Sequence, residues 1–131
     1  MPGFNYLPIL VAAVAVFVVS TVYYIASTDR LKRLSAAYAD ADARPAAWRV
    51  VIEILRSLVV GAIVAGLVSL IGITDLAGAV QLALALWIGF PVVLLTGSVI
   101  WEKVPPMLAA IHAGDWLLKL LTIVIIVILW P

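Results

Sequence analysis

Residues 111–119 read IHAGDWLLK, inside an otherwise apolar run that ends at Trp130. On an α-helix, with about 100° per residue, His112, Asp115 and Lys119 fall within an arc of about 60° and form one polar stripe. Lys119 lies near the middle of any membrane that this helix crosses. An ionisable group at that depth costs about 2.5–3.5 kcal/mol on insertion scales and usually faces a bundle interior with a partner. The stretch therefore predicts a membrane helix that is packed against other helices.

The composition of the whole chain agrees with a membrane protein. Of the 131 residues, 66% are hydrophobic and 11% are charged, which is more apolar surface than a soluble domain of this length can hide. The apolar residues come in blocks of about twenty, the length that crosses a ~30 Å hydrocarbon core. We expect one all-α domain of four antiparallel transmembrane helices. The predicted spans are about 6–26, 48–72, 78–101 and 108–130, with a polar loop at 27–47.

Composition also argues against several functional classes. The chain has one histidine and no cysteine, which leaves little for metal or nucleophilic chemistry, so we expect no enzyme, no catalytic residue, no metal and no cofactor. The net charge is +1, and no basic cluster with interleaved aromatic residues predicts a nucleic-acid partner. Asp40 and Asp42 lie in the polar loop, where two carboxylates are nearly always solvated, so we assign them no site.

The basic residues predict the orientation of the chain. Seven of the eight Lys and Arg residues lie in or beside the two connections that follow spans one and three. The positive-inside rule then places both connections in the cytoplasm and both termini outside. Aromatic residues fall at the expected interfaces of the membrane, on the inner side Tyr23, Tyr24, Trp48 and Trp101, and on the outer side Tyr6 and Trp130.

The polar loop has two interpretations. Thr28 can cap a short helix on which Leu31, Leu34 and Tyr38 share a face, and such a helix would lie on the membrane surface with its bases towards anionic headgroups. Alternatively, the loop is a solvated connector. The sequence leaves both open.

Span two carries its own polar stripe, with a row of small residues roughly opposite. The stripe comprises Arg49, Glu53 and Arg56, and the row comprises Gly61, Ala65 and Ser69. Small residues spaced four apart let helices approach closely. Since neither face suits lipid alone, we expect span two to be central in its bundle or oligomer.

Proline interrupts the middle of span three. Pro91 cannot donate a hydrogen bond to the carbonyl of Trp87, which predicts a helix kink and leaves an acceptor at membrane depth. That carbonyl either helps to line a wet cavity or belongs to an ordinary kink. Gln81 is a weaker polar candidate on the same span. Thr74 or Asp75 can cap the start of the span.

The buried charges support two hypotheses of function. Asp115 and Lys119 have the i, i+4 spacing of a helical ion pair. Glu53 and Arg56 have the same order, acid before base, in span two, which suggests that the chain consists of two similar helical hairpins. In the first hypothesis, the stripe of His112, Asp115 and Lys119 lines an oligomeric path for a small ion or solute. Arg49, Glu53 and Arg56 are then its inner-mouth partners. In the second hypothesis, the protein is a non-transporting scaffold or partner subunit in which the charges lock helix packing.

Several motifs resemble a bacterial family of small four-span membrane proteins catalogued only as a domain of unknown function. They are Tyr23-Tyr24, the sequence WIGF at 87–90, Glu102, the sequence IHAG at 111–114, and Leu129-Trp130. The resemblance implies four helices in the cytoplasmic membrane. It implies no activity, cofactor or catalytic residue. Because four helices leave a monomer little room for an enclosed path, we also expect a homo-oligomer.

Overall fold

The computed structural model describes residues 5–41 and 43–131, so Asp42 lies outside the described residues. The helices are α1 (Leu7–Ala26), α2 (Thr28–Leu34), α3 (Ala47–Ile71), α4 (Leu76–Trp87), α5 (Val93–Trp101) and α6 (Pro106–Leu129). A π-helical segment, Ile88–Val92, joins α4 to α5. Four helical segments are long and apolar enough to cross a membrane, namely α1, α3, the continuous α4–α5 and α6. The predicted all-α fold with four membrane-length helices is confirmed.

Helix α6 lies at the centre of the bundle. It packs against α1, α3, α4 and α5, whereas α3 packs chiefly against α1 and α6. The expectation that span two is central within the bundle is therefore wrong for the single chain. The reason is geometric, because α6 buries side chains along most of its length and so presents several faces to neighbours.

Small side chains allow this close packing. The main core cluster draws residues from all four long segments, namely Ala12, Val16, Val64, Val68, Ala79, Ala83, Leu120, Ile123 and Val124. Gly61 is buried against α1, where a Cβ added to it would lie 3.6 Å from Cγ2 of Ile9. Of the predicted small-residue row, Gly61 and Ala65 are buried and Ser69 is exposed. Of this row, Gly61 thus lies against Ile9 of α1.

Helix α2 closes one end of the bundle. Leu31 is fully buried against Leu108 and Ile111, and Leu34 and Tyr38 pack at the edge of this second apolar cluster. The predicted amphipathic face therefore exists, but it packs inside the protein against the first turns of α6. Thr28 does not cap the helix through its side chain, because its hydroxyl donates to the Tyr24 carbonyl of α1 at 3.1 Å.

Asp75 caps α4, as the sequence allows. Its Oδ1 accepts a hydrogen bond from the Gly78 amide at 3.0 Å. We expect Asp75→Ala to lower the free energy of unfolding by about 1 kcal/mol, because the Gly78 amide, which has no backbone partner in the first turn of the helix, loses its acceptor. Thermal unfolding in mild detergent measures the effect. Asp75→Asn keeps an acceptor and serves as the control, and equal melting temperatures for the Ala variant and the wild type would contradict the prediction.

The segment around Pro91 runs as a π-turn. In a π-helix each carbonyl accepts from the amide five residues along, so the pattern over Ile88–Val92 lets the Val92 amide reach the Trp87 carbonyl that Pro91 cannot serve. Pro91 itself is buried. The helical path therefore continues through the proline with its backbone paired, which favours an ordinary proline-induced irregularity over a wet cavity at this point.

Candidate functional site

The polar stripe of α6 faces α1 at Asp115, its most buried charged group. Asp115 is 2% exposed, and its Oδ1 accepts a hydrogen bond from the Ser20 hydroxyl at 2.5 Å. Its Oδ2 lies 2.8 Å from the Lys119 ammonium. The same ammonium lies 5.0 Å from the centroid of the Trp116 ring. Both carboxylate oxygens thus have partners within the chain, and the ion pair carries no net charge.

His112 lies between two tyrosine hydroxyls. The Tyr24 hydroxyl is 2.7 Å from Nδ1 and the Tyr38 hydroxyl is 3.4 Å from Nε2. A neutral imidazole has one donor and one acceptor nitrogen, and a hydroxyl can serve either, so both tautomers find partners. Burial raises the pKa of the Tyr38 phenol above its usual value, and the charge of Asp115 adds to the rise. Tyr38 therefore stays neutral and joins the segment after α2 to α6.

Two side chains bond to backbone carbonyls of α6. The Tyr23 hydroxyl donates to the Ile111 carbonyl at 2.8 Å, and the Trp87 indole donates to the Ala113 carbonyl at 2.8 Å. These bonds come from α1 and α4, on two sides of α6. Together with Ser20 and Tyr24, they tie three of the long helices together at one level of the bundle.

Removal of the Trp87 hydrogen bond tests this arrangement. We expect Trp87→Phe to lower the free energy of unfolding by about 0.6 kcal/mol from the lost bond, with a further loss from the smaller ring. Thermal unfolding in mild detergent measures it. Trp101→Phe is the control, since Trp101 is 83% exposed. A larger destabilisation in the Trp101 variant would contradict the prediction.

The polar stripe of span two lies elsewhere. Glu53 and Arg56 pair with each other at 2.5 Å, with 45% and 58% of their side chains exposed. Arg49 lies over the Trp48 ring, 5.3 Å from its centroid. Within the described part of the chain, no ion pair joins this stripe to that of α6. Among the described residues, the partner of Asp115 on another helix is therefore Ser20 of α1 and not a charged residue of span two.

Arg56 is the one member of the predicted inner-mouth group that approaches Lys119. Both residues line a narrow cleft between α3 and α6, together with Ser57, Val60 and Trp116. The cleft contains about 20 Å³ of free space, enough for one or two water-sized groups. Gln81 of α4 and Pro91 of the π-helical segment are not among its lining residues.

Sequence reasoning missed the partners of the stripe. Ser20, Tyr23 and Tyr24 are spaced i, i+3 and i+4 in an otherwise apolar helix, so they share a face. That spacing was a usable signal. The aromatic-belt rule assigns Tyr23 and Tyr24 to the lipid interface, but their hydroxyls bond to α6. The positions of Tyr38 and Trp87 depend on the loop path and on the packing of α4, which no local pattern encodes.

Four membrane-length apolar helices around an internally paired charged layer define a multi-pass membrane protein. Comparison with known families gives a more specific result. The chain belongs to the family described as "Protein of unknown function (DUF1761)", whose family model matches residues 7–128. No significant match is found among curated proteins or among solved structures. The resemblance to a domain-of-unknown-function family is thus confirmed over nearly the whole chain.

Proposed function

We propose that the protein is a non-transporting membrane scaffold or partner subunit, in which buried charges lock the helices in one arrangement. The observation that carries the proposal is the closed set of contacts at Asp115. Its two carboxylate oxygens bond to Ser20 of α1 and to Lys119 of α6, and the residue is 2% exposed. A group that passes ions must exchange partners with water, whereas a lock keeps its partners.

Energetics favour a role in specificity. A buried ion pair seldom stabilises a fold more than well-packed apolar residues of similar size would. It does penalise every alternative packing in which one partner is left alone. Sliding α1 past α6 by one turn would separate Ser20 from Asp115, Tyr24 from His112 and Tyr23 from the Ile111 carbonyl. The polar layer therefore fixes the axial register of the two helices.

A second candidate function is permeation of a small ion or solute. It is supported by the cleft between α3 and α6, where the Lys119 side chain keeps 13% of its exposure and lies near Arg56. In that case His112, Asp115 and Lys119 line the path, and Arg49, Glu53 and Arg56 form its mouth. The narrowness of the cleft makes this the weaker proposal for a single chain.

The setting in the cell is part of the proposal. The distribution of Lys and Arg supports an orientation with both termini outside. The resemblance to a bacterial family supports a cytoplasmic membrane, and the lipid bilayer is the expected environment. A homo-oligomer is supported by the small size of the bundle. We propose that this scaffold or partner subunit has no enzymatic activity, no cofactor and no nucleic-acid partner. Mass measurement in mild detergent tests the oligomer, and a strict monomer would contradict it.

Reconstitution distinguishes the two functions. Wild-type protein and the Lys119→Met and Asp115→Asn variants are incorporated into liposomes that contain a pH-sensitive dye and, separately, an anion-sensitive dye. A scaffold gives no protein-dependent flux in any sample, and the two variants lose thermal stability or oligomer mass. Flux in the wild type that both substitutions abolish would overturn the scaffold proposal and support permeation.

A further inference from the structure

Helix α3 has one side that points away from the described bundle. Its buried residues face α1 and α6, and they are Ser57, Gly61, Val64, Ala65 and Val68. Roughly opposite them on the helix lies a row that is exposed apart from its half-buried glycine. This outer row of α3 comprises Ile52, Arg56, Val59, Ile63, Gly66 and Leu70. Its members are spaced alternately four and three residues apart, the spacing with which two helices pack side by side along their length.

The outer row carries an ion pair. Arg56 belongs to the row, and Glu53, one turn before it, lies at the edge. Their side chains are 58% and 45% exposed. Among the described residues, these two side chains bond only to each other. About half of each charged side chain therefore faces outward from the bundle.

The ion pair lies well inside the membrane-spanning part of α3. Arg56 lines the same narrow cleft as Trp116, and Trp116 lies ten residues after Pro106, or about 15 Å from the start of α6. That is about half of the ~30 Å thickness of a hydrocarbon core. Ionisable groups at such a depth are costly in lipid and usually face a protein partner. Lipid tails have no polar group to offer the outward side of the pair, so lipid alone is a poor cover for this side of α3.

The ion pair is complementary to a copy of itself. When a two-fold axis relates two parallel helices, each residue lies at the same depth as its copy. Glu53 then lies one turn from Arg56 of the partner subunit and can bond to it as well as to its own Arg56. The donors suffice, because Arg56 uses Nη1 for Glu53 and a guanidinium has five N–H groups. A Cβ added to Gly66 would meet no atom within 4 Å, so the glycine leaves open space on this side, and small residues let membrane helices approach closely.

We propose that the outer row of α3 binds the outer row of a second copy of this chain. The two pairs of Glu53 and Arg56 join into one network of four charges, and the apolar members of the row pack along the rest of the contact. The inference rests on the proposed scaffold role, because it names the surface through which the homo-oligomer forms. The pair of Asp115 and Lys119 then orders helices within one chain, and the pair of Glu53 and Arg56 orders two chains.

Single cysteines test the surface, since the chain has no cysteine of its own. Val59→Cys places a thiol in the outer row, and in two parallel helices packed through this spacing such a position meets its copy closely enough for a disulfide. We expect oxidation in native membranes to give a covalent dimer. Leu94→Cys is the matched control, because Leu94 of α5 is 71% exposed against 63% for Val59, and we expect it to stay monomeric.

The failures of this experiment can be told apart. A Val59→Cys protein that stays monomeric, or equal cross-linking of both variants, would overturn the proposal. The mass of the wild type in mild detergent then decides about the scaffold. An oligomer leaves the proposed function intact with its interface elsewhere, whereas a strict monomer contradicts the oligomer as well.

Reversed charges test the network. In the Val59→Cys background, Glu53→Arg and Arg56→Glu each place like charges against each other, and we expect each to reduce the covalent dimer by about tenfold or more. Co-expression of the two variants sets a positive chain against a negative one, and we expect the dimer to return. Charges that act only within one chain give no such recovery. Thermal unfolding in mild detergent verifies that each variant is folded, and an unchanged dimer in the single variants, or no recovery on co-expression, would overturn the proposal.

Discussion

Asp115→Leu is expected to lower the free energy of unfolding by about 3 kcal/mol, the low end of the cost of breaking a buried ion pair. The substitution leaves the Lys119 ammonium without its anion, with only 13% of its side chain exposed. The loss falls at the low end because the cleft beside the ammonium has about 20 Å³ of free space, enough for a water molecule. Equilibrium unfolding in mixed detergent micelles measures the change.

The double variant separates the charge from the packing. Lys119→Met alone leaves Asp115 unpaired, and we expect a loss of similar size. Asp115→Leu combined with Lys119→Met leaves no buried charge, so most of the stability returns. If the two single losses simply add in the double variant, the pair does not interact and the interpretation of the layer as an ion-pair lock is wrong.

Gly114→Ala is expected to lower the free energy of unfolding by about 1–3 kcal/mol, the usual cost of overpacking. A Cβ at Gly114 would collide with the hydroxyl of Tyr23 and lie 3.2 Å from its Cζ. Tyr23 cannot move aside freely, because its hydroxyl is bonded to the Ile111 carbonyl. The added methyl group therefore forces the ring away and breaks that hydrogen bond. Thermal unfolding in mild detergent reports the loss.

Two further variants test the cause. Gly97→Ala also places alanine in a helix, but no atom lies within 4 Å of the added Cβ, so it is neutral or stabilising. Tyr23→Phe removes the colliding oxygen and should recover part of the loss caused by Gly114→Ala. Equal effects of the two glycine substitutions would show that the contact between Tyr23 and Gly114 does not form.

The sequence predicted which residues form helices better than it predicted which helices pack against each other. Long apolar blocks and the charge distribution led to four spans, and the i, i+4 spacing predicted the pair of Asp115 and Lys119 that the structure contains. Of the two residues that the sequence offers as a cap for span three, Thr74 and Asp75, the structure uses Asp75. These features depend on periodicity along one helix, which a sequence displays directly.

Contacts between helices were harder to predict. The sequence suggests charged residues of span two as partners of the α6 stripe, whereas Asp115 and His112 bond to neutral hydroxyls of α1. The aromatic-belt rule assigns Tyr23 and Tyr24 to the membrane interface, and the sequence analysis makes no prediction for Ser20. The burial of Leu31 against the first turns of α6 depends on how the segment between spans one and two folds back onto the bundle. Which faces meet is decided by the packing of the whole bundle, and no single helix encodes it.

Cross-linking α1 to α6 tests the central claim, that α1 of the same chain engages the polar stripe. The chain has no cysteine, so Ser20→Cys and Asp115→Cys can be combined without background, with Lys119→Met added to avoid an unpaired charge. The account predicts that oxidation in native membranes joins the two cysteines within one chain and leaves a product of monomer mass. A covalent dimer, or two cysteines that remain free, would contradict it.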